Sequence, residues 1–266
     1  MSAEEPEPDI LNRQTLDQLF ARIRPDWVFN FAALTQVDAC ETQQRDAFEV
    51  NGRGPGMVAA AAVACGANIL HMSTDYVFPG LSDRPYREDD PTHPLSVYGK
   101  SKLAGEQAVR EVAAENHVIV RTAWLYGAGG TNFVDTILRK ARAGEPLRVV
   151  DDQRGSLTWT ADLARALVRL MEEDVRGTFH CTNGGDGTWF DVAAAILELS
   201  GAKTQLERID TETLARPAPR PRYSVLDCGK FERTTGANMP HWRDALKRYL
   251  ASGASSAQPA TKGTRT

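Results

Sequence analysis

Tyr98 and Lys102 stand four residues apart in the run Tyr98-Gly99-Lys100-Ser101-Lys102, and Ser73-Thr74-Asp75-Tyr76 lies upstream. A phenol, an ammonium and a hydroxyl together form a kit for reducing a carbonyl as hydride arrives from a nicotinamide. A free phenol, with a pKa of about 10, is a poor acid at neutral pH, and a neighbouring ammonium pulls that value down. Positions i and i+4 share one face of a helix, so Lys102 can sit beside Tyr98. The same spacing also arises by chance on many solvated helices, so the pair gains meaning only from its surroundings.

The surroundings alternate helical and strand patterns as an α/β sheet requires. A helix is predicted from Thr15 to Ile23, with Leu16, Leu19, Phe20 and Ile23 on one face, followed by a strand from Trp27 to Phe31. An alanine-rich helix over Gly56 to Cys65 leads to a strand from Asn68 to Met72, which delivers Ser73 and Thr74 at its carboxyl end. That is where an open α/β sheet places its ligand crevice. Ser96 to Asn116 is the helix of Tyr98 and Lys102, and His117 to Thr122 a further strand. Then come a helix over Phe133 to Ala143 and a strand over Leu147 to Val150. Beyond Ser156 the pattern loosens, with helices over Ala161 to Glu173 and Trp189 to Leu199 around a short strand at Thr178 to Cys181.

The stretch from Ile69 to Val109, including Ser73-Thr74-Asp75-Tyr76-Val77-Phe78 and Tyr98-Gly99-Lys100-Ser101-Lys102-Leu103-Ala104-Gly105-Glu106, resembles the extended short-chain dehydrogenase/reductase family, in its dTDP-4-dehydrorhamnose reductase branch. So do Arg24-Pro25-Asp26-Trp27-Val28, Asn30-Phe31-Ala32-Ala33-Leu34-Thr35, Val37-Asp38 and Arg121-Thr122-Ala123-Trp124-Leu125-Tyr126. Later landmarks are Asp152-Gln153-Arg154-Gly155, Thr188-Trp189, Arg220-Pro221 with Ser224 and Leu226, and Pro240 with Trp242. The resemblance covers nearly everything from Asp9 to Leu250. Leu157 stands where the family pattern usually has proline.

What the resemblance implies is specific. The fold is a Rossmann-like, doubly wound parallel sheet over residues 9–155, with a smaller α/β substrate-binding region over 156–250 interleaved with the end of the sheet and a disordered tail over 251–266. Tyr98, Lys102 and Thr74 are the catalytic group. Tyr98 protonates the C4 oxygen of a keto sugar, Lys102 lowers the phenol pKa and holds the nicotinamide ribose, and Thr74 holds the carbonyl oxygen. Asp75 and Trp124 join Thr74 on the substrate. Asp9, Ile10, Ala32, Ala33 and Leu34 join Tyr98 and Lys102 on the cofactor, NADPH or NADH, and Asn51 orders the Lys102 side. The reaction implied is reduction of a dTDP-4-dehydro sugar, dTDP-4-dehydro-L-rhamnose, to dTDP-L-rhamnose.

The family's opening strand, Gly-rich turn and helix have no counterpart here. No glycine precedes Gly52, and the acidic, proline-rich start Met1-Ser2-Ala3-Glu4-Glu5-Pro6-Glu7-Pro8 has the wrong charge for a pyrophosphate. About 30 residues, one βα unit, are missing from the pattern. Gly52, Gly54 and Gly56 read as a loop-to-helix step with Pro55 in the first turn, and Gly127, Gly129 and Gly130 as a loop. The expectation is a start recorded too late or a gene fragment, and a sheet left with an exposed apolar edge. Two further readings stay open: a non-catalytic relative similar to the methionine adenosyltransferase regulatory subunit, and another sugar-nucleotide reductase or epimerase.

Composition narrows the classes. The 266 residues are 42% hydrophobic and 25% charged, ordinary for a globular chain. A net charge of -4 with no long basic run argues against nucleic acid, and no stretch suits a membrane span or a secretory signal. Cys40, Cys65, Cys181 and Cys228 are scattered, as expected of reduced cysteines in a cytoplasmic protein. A homodimer is compatible with all of this. His71 reads as a satisfied core imidazole, and neither His93 nor His241 has metal-ligand spacing; no metal is expected. Arg216-Pro217-Ala218-Pro219-Arg220-Pro221 reads equally as a rigid linker or as two arginines facing a diphosphate.

Overall fold

A computed structural model describes residues 8–253; the acidic start and the tail beyond Gly253 lie outside the described residues. In chain order the elements are α1 (Arg13–Ile23), β1 (Trp27–Asn30), α2 (Val37–Thr42), α3 (Gln44–Ala47), a π-helical turn (Phe48–Arg53), α4 (Gly54–Ala64), β2 (Asn68–Thr74), a 3-10 turn (Asp75–Val77), α5 (Val97–Val112), β3 (His117–Thr122) and β4 (Leu125–Tyr126). There follow α6 (Phe133–Arg142), β5 (Leu147–Val150), β6 (Arg154–Gly155), β7 (Thr158–Trp159), α7 (Thr160–Glu172), β8 (Gly177–His180), β9 (Gly187–Thr188), α8 (Trp189–Ser200), β10 (Leu206–Ile209), α9 (Thr211–Leu214), α10 (Gly229–Thr235) and α11 (Trp242–Ala251). The helix of Tyr98 and Lys102 is shorter than expected at its C-terminal end: α5 stops at Val112, where Ala113 to Asn116 turn into β3.

The main sheet is parallel, in the order β1-β2-β3-β8. Its strands carry apolar residues on both faces, the pattern of a sheet covered twice. Ile69 and Ile119 pack with Leu16 and Phe20 of α1, the alanines of α4 and Val109 of α5. Leu70, Val118, Val120 and Phe179 point the other way, onto Leu163, Leu167 and Leu170 of α7 and Phe231 of α10. Helices on both sides make this the Rossmann-like α/β arrangement expected.

The two ends of the sheet are not alike. β1 pairs only with β2 among the described residues, and Phe29 (38% exposed) and Phe31 (55%) face solvent beside it. The exposed apolar edge expected from the sequence is therefore present. A separate core gathers Tyr126, Val134, Ile137, Leu138, Leu147, Ile196, Trp242, Leu246 and Tyr249 from β4, α6, β5, α8 and α11. Leu157 belongs to that core, 2% exposed, so an apolar side chain fills the place where proline was expected. The β5-β10 pair completes this region, and β10 carries no clear strand signal in the sequence.

Candidate active site

Helix α5 starts at Ser96, whose hydroxyl accepts from the Gly99 amide as an N-cap. Gly99 is required by proximity: a Cβ there would lie 2.3 Å from the Tyr76 carbonyl oxygen. Gly105 meets the same constraint further along α5, where a Cβ would lie 2.1 Å from the Asn51 carbonyl oxygen. These two glycines let α5 press against the carboxyl end of β2 and against the π-helical turn. Tyr98 is thereby brought next to Thr74.

The polar contacts around the phenol meet at Thr74. The Tyr98 side chain hydrogen-bonds the Thr74 hydroxyl, which donates onward to Asp75 Oδ1 at 3.0 Å and accepts from the Tyr76 amide at 3.2 Å. A bond that lowers the pKa of a phenol favours its phenolate, so Thr74 is placed to stabilise the charge left on Tyr98 when its proton goes. Burial raises the Tyr98 pKa above its ordinary value, with the Thr74 bond opposing it. Burial also raises the Asp75 carboxyl to about 6, against hydrogen bonds from Ser224 and Thr74, and its Oδ2 is buried without a partner. Thr122 Oγ1, at the matching end of β3, is buried without a partner as well.

Lys102 rests on a backbone acceptor. Its ammonium, 3% exposed, donates to the Met72 carbonyl at 2.7 Å, and the Tyr98 phenol is raised, not lowered. A buried ammonium needs an acceptor, and the last carbonyls of β2 are the near one. Desolvation lowers Lys102 to about 8, with Glu106 partly restoring it. Glu106, one turn further along α5, accepts from Ser73 Oγ (2.6 Å), Arg121 Nε and Nη2 (2.9 and 2.8 Å) and Arg110 Nη2 (2.7 Å). Burial alone would raise its carboxyl, but these cations and the hydroxyl hold it at about 2. The helical spacing Tyr98, Lys102, Glu106 is visible in the sequence, although the role of Glu106 does not follow from it.

Asn51 accepts from the Leu34 amide at 2.7 Å and donates to the Leu34 carbonyl and to Ser101 Oγ, each at 3.0 Å. It locks the Phe31–Gln36 loop to α5 without touching Lys102. Leu34 then packs with Tyr98, Val97 and Cys40, while Ala32 is exposed and Ala33 half-buried beside it. Asp9 and Ile10 have structural contacts: Asp9 Oδ1 accepts from the Leu11 amide, and Ile10 packs on the start of α4 at Gly54. His71 is buried with Nδ1 against Asn30 Nδ2 at 3.3 Å and Nε2 unpartnered, so it is only half satisfied. Burial, with Lys102 nearby, holds it neutral by pushing its pKa well down.

Beside the Tyr98 site opens a cleft of about 450 Å³. Tyr76, whose ring meets Tyr98 edge-on at 5.6 Å, forms its inner end; Phe133 and Trp189 form an aromatic wall; Lys140, Arg148, Arg216 and Arg220 bring positive charge. Trp124 stands behind that wall, stacked on Trp189 at 3.7 Å and in a left-handed backbone conformation (φ 47°) uncommon for a bulky residue. The other side of its indole lies against Gly155, where a Cβ would come within 2.7 Å. No local signal in the sequence marks Trp189 and Phe133, rather than Trp124, as the residues that line the cleft.

For a dinucleotide the fit is divided. Lys102 and Tyr98, one turn apart at the end of β2, suit a nicotinamide ribose and the group it reduces. The diphosphate half finds no cradle among the described residues: the Phe31–Gln36 loop has no glycine, and α2 carries an acid, Asp38, in its first turn. No group of acids, histidines and cysteines able to hold a metal occurs among the described residues, and no described helix is long and apolar enough to cross a membrane.

Residues 1–255 match the family described as the RmlD substrate binding domain. A dTDP-4-dehydrorhamnose reductase of Streptomyces griseus is 48% identical over 244 residues, 90% of this chain and 80% of the relative. The spore coat polysaccharide biosynthesis protein SpsK of Bacillus subtilis is 43% identical, over 91% of this chain and 84% of the relative. Among solved structures, a dTDP-4-dehydrorhamnose reductase of Bacillus anthracis in complex with NADP superposes with a TM-score of 0.90 at 36% identity, over 94% of this chain and 89% of that one.

Proposed function

The chain belongs to the RmlD substrate-binding-domain family, and we propose that it reduces the 4-keto group of dTDP-4-dehydro-L-rhamnose, with NADPH as the reductant, to dTDP-L-rhamnose. The observation that carries this reading is the cluster of Tyr98, Thr74 and Asp75 at the carboxyl end of β2, beside an aromatic and cationic cleft. The reductase relative in complex with NADP supports the choice of cofactor. We also propose that residues 9–155 serve the cofactor and 156–250 the substrate.

When bound, the nicotinamide supplies hydride to the sugar C4. The protein residues manage the proton. Tyr98, raised by burial, stays fully protonated at neutral pH and gives up its proton only as the C4 oxygen acquires alkoxide charge. Thr74, beside the phenol at the end of β2, is placed to hold the sugar oxygen and to steady the phenolate. Lys102 holds the nicotinamide ribose and keeps a positive charge against the phenolate left behind. Asp75 takes a sugar hydroxyl on its unpartnered Oδ2. Phe133 and Trp189, backed by Trp124, take the base or the sugar face, and the cations take the diphosphate.

The lack of a diphosphate cradle among the described residues favours a second reading, in which the fold binds the sugar nucleotide without turning it over. The test is loss of the reduced-nicotinamide absorbance on mixing the chain with NADPH and dTDP-4-dehydro-L-rhamnose, with Tyr98→Phe as control. Turnover abolished by Tyr98→Phe supports the reductase. No turnover by a folded chain that binds dTDP places the second reading first.

A further inference from the structure

Asp38, at the start of α2, is joined to a loop some 180 residues away in sequence. Its Oδ2 accepts from Arg216 Nη1 at 3.2 Å and Arg220 Nη2 at 3.0 Å; its Oδ1 accepts from Arg220 Nη1 at 3.1 Å and from the Ala218 amide at 3.2 Å. Burial alone would raise this carboxyl, but the guanidinium of Arg220, the Ala218 amide and Arg216 hold it below its usual range. One carboxylate therefore pins both ends and the middle of Arg216-Pro217-Ala218-Pro219-Arg220. The two prolines stiffen what lies between.

The two arginines are used differently. Arg220, with a side chain 12% exposed, gives both Nη1 protons away, to Asp38 and to the Ala218 carbonyl, gives Nη2 to Asp38 and hydrogen-bonds Tyr76. Arg216, with a side chain 52% exposed, gives Asp38 a single bond from Nη1. Arg220 is thus a pin between Asp38 and the tyrosine that packs on Tyr98. Arg216 keeps most of its donor fork for something else, and both line the cleft with Lys140 and Arg148.

We infer that Asp38 is a positioning residue for the substrate diphosphate: it clamps the Arg216–Arg220 loop across the mouth of the cleft so that Arg216 presents its guanidinium to that diphosphate. The inference rests on the sugar-nucleotide reading above and adds to it a residue of α2, distant along the chain from the loop it holds. Docking the loop before the ligand arrives spares the ordering cost that a mobile arginine loop would incur on binding.

Calorimetric titration of the full chain with dTDP and with thymidine tests it without any turnover. Asp38→Asn is expected to weaken dTDP binding roughly tenfold, the scale of one charge-assisted hydrogen bond, and to leave thymidine binding unchanged. Arg216→Ala should cause the same loss, and the double variant no more than either alone, because Asp38 acts through Arg216. Unchanged dTDP binding in Asp38→Asn overturns the inference and spares the sugar-nucleotide reading. Tighter binding overturns it too, because Asp38 would then be competing for the arginines. If the wild type binds neither probe, both readings fall. Should Asp38→Asn not fold, the exposed Arg216→Ala decides alone: full dTDP affinity there is fatal to the inference.

Discussion

The carboxyl end of β2 and the edge of β1 lie on the same sheet and could hardly be built more differently. Around β2, Glu106 collects four hydrogen bonds, Lys102 is given a carbonyl, and two glycines let α5 close onto Tyr76 and Asn51. Along β1 the strand has no partner on one side among the described residues, Phe29 and Phe31 face water, and the following loop offers no glycine to a phosphate. Groups that move a proton are held rigidly. Groups that would hold a dinucleotide diphosphate are absent from the described residues. Among the described residues the acid-base half of the site is therefore built in, and the half that would hold the cofactor diphosphate is not.

The comparison can be broken most sharply at Tyr98. Tyr98→Phe should lower the reduction rate by a factor of about 10² to 10⁴, the usual worth of a positioned general acid, with dTDP affinity unchanged by calorimetry. A residual rate within threefold of wild type would mean that another group supplies the proton.

The next effect is on stability. Glu106→Ala leaves Arg121, its side chain 3% exposed, without a counter-charge and should cost about 3–5 kcal/mol in urea unfolding, as breaking a buried ion pair does. A loss under 1 kcal/mol would show that the network around β2 is not what holds α5.

pH probes the same network more gently. Burial, with Arg121 beside it, lowers His180 to about 3, so the folded state refuses a proton that the unfolded state accepts from about 6.5 downward. The sign follows: this stability is complete above pH 6.5 and is lost progressively as pH falls toward 3. Asp75, raised to about 6, works in the opposite sense, because its burial penalty is relieved as pH falls through 6. His180→Asn should flatten the decline in chemical-denaturation midpoints below pH 6.5; an unchanged slope would assign it to other groups.

The smallest effect belongs to the open edge. Phe29→Lys and Phe31→Lys should change stability by no more than about 0.5 kcal/mol, as exposed sites do, while reducing self-association seen in sedimentation, because a charge protects an edge strand. A large stability loss would mean that these rings are covered.

The sequence is most informative where a signal is local. Strand β3 and the start of the Tyr98 helix follow from the local pattern and short motifs, while the Ser96 cap is seen only in the structure. The exposed edge follows from counting strands. What stays hidden depends on pairs distant along the chain: Asp38 and Arg216 are 178 residues apart, and Trp124 meets Trp189 only through the packing of α8. The contact that Lys102 makes is hidden for a different reason. Helical spacing puts Tyr98 and Lys102 on one face, but burial decides which acceptor the ammonium takes, and the Met72 carbonyl lies on another element.

The separation of the two halves is tested most directly by fluorescence titration of the chain with NADPH and with reduced nicotinamide mononucleotide, which lacks the adenosine half. If Lys102 and Tyr98 hold the nicotinamide ribose while the described residues offer no cradle for the adenosine diphosphate, the two should bind within about threefold of each other, less than one hydrogen bond apart. NADPH binding a hundredfold tighter would contradict the account, because the chain would then be gripping the diphosphate with residues that the β1 edge does not provide.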